Sequence, residues 1–422
     1  MRHNPRLVIT RSLLTQALRT LERTNREWVA CGVDTSRRQD GVDWLGRPLL
    51  SEWNPSQSAL LISRTPALGI VAQSPVAVLC LRRGEAPRAY LLLPDGEQIP
   101  MSLRLIAPGL PELGAGTLPE PFPDAERWSR TAGALGEHAW QRLCQLHYLL
   151  VGCGRNGSLL AHALVRMGAR RLSLIDPDTV ELANLDGDGY LPDHLGAPKA
   201  EALAESLRAV NPTVVVQPLP YSVTDYRILP AAREADVLIT AVDDDGARWA
   251  VAQLAVLYLK PLLDVGTGVL TSESGEPLLG ADIRWIVPGE GCLLCIGGVA
   301  NPQQVEVVRQ GLHAEQQYRA QRHWQQERRG SLRSLNMVAV GLALRMLEDY
   351  LATRLQTSCW LRLVYQDATP QVQEMGHGTP HHRCLCAYAG GGDRGLAHMR
   401  QSQSRISHYK PFTPNPTVEV KK

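Results

Sequence analysis

Residues 147–176 read HYLLVGCGRNGSLLAHALVRMGARRLSLID. A hydrophobic run, a glycine loop, an apolar helical pattern and a second hydrophobic run ending at Asp176 follow one another, which is the order of a βαβ unit. The loop carries G-x-G-x-x-G at Gly152, Gly154 and Gly157. Backbone N–H groups there, with the N-terminus of the following helix, are suited to holding phosphate. Asp176 ends the second strand, where a carboxylate accepts hydrogen bonds from a ribose. A dehydrogenase would show the same two features, so the chemistry has to be read from other residues.

Working outward, KAEALAESLRAV reads as a helix, TVVVQPLP and ADVLITAV as strands, GARWAVAQLAVLYLK as a helix and PLLDVG as a strand. This alternation implies an α/β fold, Rossmann-like, with a mostly parallel sheet and helices on both faces. Upstream, residues 124–145 read as one helix leading into the first strand. Downstream, the polar, Gln- and Arg-rich stretch of about 300–330 reads as a helical crossover, SLNMVAVGLALRMLEDYL as an apolar helix and WLRLVYQD as a further strand. Residues 1–122 read as a separate N-terminal α+β domain of no assigned role, closed by a Pro- and Gly-rich linker. Residues 123–396 form the nucleotide-binding domain, and residues 397–422, polar and basic without periodicity, are expected to be a disordered tail.

At 422 residues the chain exceeds what one hydrophobic core usually serves, so two or three domains are expected. Its 44 basic and 42 acidic residues leave a net charge of +2, which supplies no strong field for nucleic acid or an anionic membrane. No nucleic-acid partner is expected. No stretch approaches the roughly 20 apolar residues of a membrane span, and the N-terminus lacks an apolar signal region, so the expected location is the cytoplasm.

Nine cysteines are present, and four fall late, as Cys292 and Cys295 in GCLLC and Cys384 and Cys386 in HRCLC. Two short thiol pairs favour a closed, tetrahedral structural Zn2+ site over a secreted disulfide framework. His381 or His382 could replace one thiolate.

Three further clusters bear on chemistry. Lys199 opens a helix past the second strand, where it could reach phosphates or stand as a solvated surface lysine. Asp243, Asp244 and Asp245 follow a strand, where ligands of open α/β sheets bind. Together they could hold Mg2+, or serve as a helix cap, with Asp245 well placed before GARWAVAQ. Arg248 could contact phosphate or pair with those carboxylates.

With ERWSR at 126–130, GCGRNGS, IDPDTVELANL, GAPKA, VDDDGAR and the cysteine pairs in view, residues of roughly 125–390 resemble the ThiF and MoeB superfamily. These are ATP-dependent adenylyltransferases related to ubiquitin-activating E1 enzymes. The resemblance implies that Gly152, Gly154, Gly157 and Asp176 hold ATP, that Asn184 and Lys199 approach its phosphates, and that Asp243 acts at the Mg2+-ATP site. It implies further that Arg130 serves the neighbouring subunit of a homodimer. The implied substrate is a ubiquitin-like protein with a C-terminal glycine, adenylated and then passed to a thiol of this chain or of a partner such as an E2-like protein. The N-terminal region looks more like the adenylyltransferases of bacterial ubiquitin-like conjugation operons linked to antiphage defence.

Two departures stand out. No cysteine lies between Cys295 and Cys359, where such enzymes place the thioester thiol, leaving a partner thiol or a cysteine from elsewhere such as Cys359. Gly187 stands where the family commonly has an arginine, which leaves open a reduced rate, a compensating arginine such as Arg155, or a pseudoenzyme. Sulfur-carrier activation in thiamine or molybdopterin biosynthesis, and a nucleotide-binding scaffold without adenylation activity, remain as alternative readings.

Overall fold

The computed structural model describes residues 6–24, 28–32, 48–49, 58–63, 76–81, 88–106, 125–271, 277–288, 290–299, 301–321, 332–355, 357–366, 369–375, 385–388 and 396. Within the N-terminal region, strands β1 (Arg6–Thr10), β2 (Trp28–Gly32), β3 (Pro48–Leu49), β4 (Ser58–Ser63), β5 (Val76–Cys80), β6 (Arg88–Leu92) and β7 (Gln98–Ile106) form a sheet of order β1-β7-β6-β5-β4-β2-β3. Ala17 and Leu21 of helix α1 (Arg11–Thr24) pack on Ile62, Leu79 and Ala89 of that sheet. The expected α+β composition is present here. The expected linker before residue 123 and the tail after residue 396 lie outside the described residues.

A second sheet comprises β8 (His147–Val151), β9 (Arg171–Ile175), β10 (Val215–Leu219), β11 (Val237–Thr240), β12 (Leu262–Thr271), β13 (Pro277–Ile286), β14 (Cys359–Gln366) and β15 (Thr369–Met375). Its order is β10-β9-β8-β11-β12-β13-β14-β15. Pairing is parallel from β10 to β12 and antiparallel from β12 to β15. The sheet is therefore mixed. The sequence reading ended β12 at Gly266 and missed β13 and β15 altogether. Glycines interrupt β12, whereas in β13 Asp282 and Arg284 alternate with the buried Ala281, Ile283 and Trp285, a strand pattern left unassigned in the sequence, and both charged side chains lie largely buried. β15 is exposed along most of its length and carries no hydrophobic signal.

Every residue of β8 and β11 is buried, as covering on both faces requires. The covering helices are α2 (Ser129–Leu135), α3 (Glu137–Gln145), α4 (Arg155–Met167), α5 (Lys199–Val210), α6 (Leu229–Glu234), α7 (Asp245–Leu257), α8 (Pro302–Arg309), α9 (Leu312–Gln321) and α10 (Arg333–Leu351). Tyr148 and Leu150 of β8 join the core built from α2–α5 and α10. Their alternating neighbours Leu149 and Val151 join the core of α6–α8. The crossover thus begins as α8 and α9, and its remainder lies outside the described residues.

The single helix expected at 124–145 is split at Gly136, whose φ of 92° takes it out of helical space. The split lets two tryptophans reach the same target. Trp128 and Trp140 donate their indole N–H groups to the carbonyls of Arg166 (3.0 Å) and Met167 (2.9 Å). These close orphan acceptors in the last turn of α4. The ERWSR segment is therefore anchored at the end of α4 opposite the glycine loop, about 20 Å along a helix of this length. No described helix is long and apolar enough to cross a membrane.

Candidate functional site

The sheet order places β9 and β10 on one side of β8 and β11 and β12 on the other, so the order in which strands are laid into the sheet switches sides between β8 and β11. The crevice beyond their C-terminal ends is where open α/β sheets take ligands. Two loops meet there. The amide of Ala241, just past β11, donates to Val151 O (2.9 Å), and the amide of Gly152 donates to Ile175 O (2.9 Å). A Cβ on Gly152, whose φ is +93°, would lie 2.8 Å from Ala241 O, and one on Gly157 would lie 1.9 Å from Gly152 O. Side chains are excluded from both positions. A Cβ on Gly154 would meet nothing within 4 Å, so the loop is open on that side.

Asp176 stands at the end of β9, buried. It accepts hydrogen bonds from the backbone N–H groups of Cys153 (2.7 Å) and Asp178 (2.9 Å), so it braces the glycine loop from within. Burial, with Asp178 adding to it, raises its pKa above the usual carboxylate range. Lys199, at the start of α5, donates to Asp178 Oδ2 at 3.2 Å with its side chain 13% exposed. Burial works against its charge, yet the facing Asp176 and Asp178 outweigh that and raise its pKa, so the ammonium stays charged. It is not a solvated surface lysine. The Asn184 side chain is turned into its own short helix, its Oδ1 accepting from the Glu181 amide (2.9 Å).

The three aspartates after β11 separate into three situations. Asp244, not Asp245, is the N-cap of α7, accepting from the Ala247 amide (2.9 Å). Asp245 begins the helix and accepts from the Asn301 amide (2.8 Å), which ties the start of α8 to this loop. Asp243 is exposed, and its carboxylate has no hydrogen bond or ion pair among the described residues. A cation or ligand can reach that one carboxylate without displacing a protein partner.

Arg248 pairs with carboxylates, as one of its two readings anticipated. It bonds Asp245 (3.2 Å), Asp264 (3.2 Å) and the carbonyl of Val242 (2.8 Å), beside Asp243. A Cβ on Gly266 would sit 2.5 Å from its guanidinium, so the glycine makes room for it. The chain of charges continues where the sequence offered no signal. Asp264, fully buried, also takes Arg284 (2.8 Å); Arg284 takes Asp282 (2.9 Å); and Asp282 takes Arg362 (2.8 Å). Strand pairing creates it, since Asp264 faces Arg284 and Asp282 faces Arg362 across the ladder.

Arg130 is exposed on α2, at the Trp128 end of α4 and remote from the glycine loop of its own chain. Cys292 and Cys295, in the turn after β13, lie 3.7 Å apart at sulfur, and Cys386 lies 3.6 Å from Cys295. All three sulfurs lie within 4.8 Å of one another. Tetrahedral thiolates at about 2.3 Å from zinc are spaced about 3.8 Å apart, so the donor set fits that metal. Cys384, His381 and His382 lie outside the described residues. Burial pushes the thiols of Cys144 up to about 12 and Cys359 up to about 11, and it raises that of Cys153 well above the ordinary thiol range. None of these is poised as a thiolate.

The model of the ThiF family matches residues 128–358, more than half of the chain. The chain belongs to the ThiF family. Ubiquitin-like modifier-activating enzyme 5 of Dictyostelium discoideum is 30% identical over 170 residues, covering 37% of this chain and 43% of that protein. The sulfur carrier protein adenylyltransferase of Thermus thermophilus is 32% identical over 130 residues, covering 31% and 48%. The chain thus spans under half the length of these ThiF relatives. Among solved structures, E. coli MccB with ATP aligns with a TM-score of 0.46 and 19% identity, covering 61% of this chain and 73% of that one.

Proposed function

We propose that this ThiF-family chain is an ATP-dependent adenylyltransferase acting on the C-terminal glycine carboxylate of a ubiquitin-like protein. The observation that carries the reading is the meeting of a braced, one-side-open glycine loop with a charged Lys199 and the outward Asp243 at the strand crossover. The names of the Dictyostelium and Thermus relatives support the reaction class.

In this reaction a carboxylate oxygen of the carrier protein bonds to the α-phosphorus of ATP, the bond to the bridging oxygen breaks, and pyrophosphate leaves. No general base is needed, since a terminal carboxyl with a pKa of about 3.5 is ionised near neutral pH. The work left to the protein is positioning and charge compensation. The glycine loop holds phosphate through its amides, and Lys199 offers the charge that Asp176 and Asp178 maintain. Asp243 would hold Mg2+, which when bound neutralises phosphate charge. Arg130 reaches a nucleotide in a partner subunit of a homodimer, which agrees with its place at the far end of α4. Cys292, Cys295 and Cys386 would hold structural Zn2+, with Cys384 as the expected fourth ligand, and the metal would tie Cys386 to the core.

The thiol of a partner, as on an E2-like protein, then attacks the acyl carbon of the adenylate, the acyl–phosphate bond breaks and AMP leaves; burial disfavours Cys144, Cys153 and Cys359 of this chain as thiolates. A sulfur-carrier substrate is the second reading, favoured by the Thermus relative. ATP–pyrophosphate exchange tests both. Exchange that requires a ubiquitin-like partner's intact terminal glycine supports the proposal; exchange only with a sulfur carrier moves it to the second reading. Absence of exchange with folded partners of both kinds overturns adenylation.

A further inference from the structure

Arg155 is the first residue of α4, directly on the glycine loop, and its guanidinium pairs with Asp186. Two residues along the same loop, Asp188 pairs with Arg333, the first residue of α10. One turn into α10, the buried Asn336 donates to Asn156 Oδ1 (2.7 Å) and Thr267 Oγ1 (2.9 Å), locking α10 to the residue after Arg155. The loop of residues 185–190 is thus held by two arginine–aspartate pairs, one to the glycine loop and one to α10. Tyr190 closes its far end by donating to the carbonyl of Cys153 (2.5 Å).

A cation in the first turn of a helix is opposed by the helix dipole, and here two such cations converge. Among the described residues, Asp186 and Asp188 supply a compensating carboxylate to each. The Arg155 and Asp186 side chains are 32% and 58% exposed, and ion pairs of that exposure hold weakly. A phosphate carries more charge than a carboxylate and accepts two N–H groups of a guanidinium together, so it competes well for the same arginine. Gly187, between the two aspartates, leaves this loop without a cation of its own.

Resting on the nucleotide-site reading above, we infer that Arg155 is a phosphate ligand for ATP whose guanidinium Asp186 occupies until the nucleotide arrives. Loop 185–190 is then a carboxylate latch: Asp186 exchanges for phosphate, while the Asp188–Arg333 pair keeps the loop attached. The missing loop cation is supplied from the glycine loop instead.

Calorimetric titration of the full chain with ATP, and separately with adenosine, tests this. Asp186→Asn removes the competitor and is expected to tighten ATP binding about threefold. Arg155→Ala is expected to weaken it about tenfold or more. Adenosine, which has no phosphate, should bind all three proteins equally. Asp186 is exposed, so its substitution does not threaten folding. Unchanged or weaker ATP binding by Asp186→Asn, unchanged ATP binding by Arg155→Ala, or an equal loss for adenosine in Arg155→Ala overturns the inference. If the unaltered protein binds no ATP, the nucleotide-site reading falls, and the inference with it.

Discussion

Changing Asp264 to asparagine tests how the buried charges are balanced. Asp264 is fully buried between Arg248 at 3.2 Å and Arg284 at 2.8 Å. The chain of which it is the hinge alternates Asp245, Arg248, Asp264, Arg284, Asp282 and Arg362, so carboxylates and guanidiniums cancel. Asparagine keeps the shape and removes one negative charge, leaving two carboxylates to compensate three guanidiniums in the buried network. Breaking a buried pair in this way costs about 3–5 kcal/mol. For a domain of this size each kcal/mol lowers the melting temperature by roughly 2–4 °C, so a fall of about 6–20 °C is expected. Urea and thermal unfolding followed by circular dichroism measure it. The double variant Asp264→Asn/Arg284→Met removes one charge of each sign and restores the balance, while Asp282 keeps its bonds to Arg362. It should therefore be more stable than Asp264→Asn by itself. A cost below about 1 kcal/mol for the single variant, or a double variant as unstable as the two singles summed, would refute the reasoning.

Replacing Cys292 with serine should lower bound zinc and unfolding temperature together, because a metal site's binding energy is folding energy; unchanged zinc by elemental analysis would reject the ligand assignment. Asp243→Ala and Arg130→Ala should each abolish pyrophosphate exchange, and mixing them should restore part of it through hybrid dimers; demonstrated heterodimers that stay inactive would argue against a shared site. Burial opposes ionisation of Asp282, but Arg284, Arg362 and the Trp360 indole outweigh it and hold its pKa below the usual range. Its stabilisation is thus complete above the unfolded value of about 3.9 and fades as pH falls through the lower folded value. The cost of Asp282→Asn should accordingly shrink between pH 7 and pH 3 in urea titrations, and a constant cost would show that the carboxylate's charge contributes nothing.

Much of the fold could be read because its signals are local. β8, the glycine loop, α4 and β9 are set by residues close in sequence, and α5 and α10 appear almost where helical periodicity places them. β13 carries a period-2 pattern, but Asp282 and Arg284 look like solvent-facing residues, and their burial becomes evident only when Asp264 and Arg362 are brought opposite them. The helix cap was misplaced by one residue for a similar reason. Asp244 and Asp245 are chemically alike, and only the arrival of Asn301 and Arg248 assigns Asp245 another duty.

By itself, then, the sequence determined the βαβ unit, the glycines that shape its first loop and the thiol pairs that suggest zinc, since all three depend on short spacings. Tertiary structure decided which aspartate faces outward, that Lys199 is held among carboxylates, and that Cys386 meets Cys295 from 91 residues away. It also decided that Arg155 is answered by Asp186. Charges and ligands act through distance and burial, and both are created only when remote strands and loops pack together.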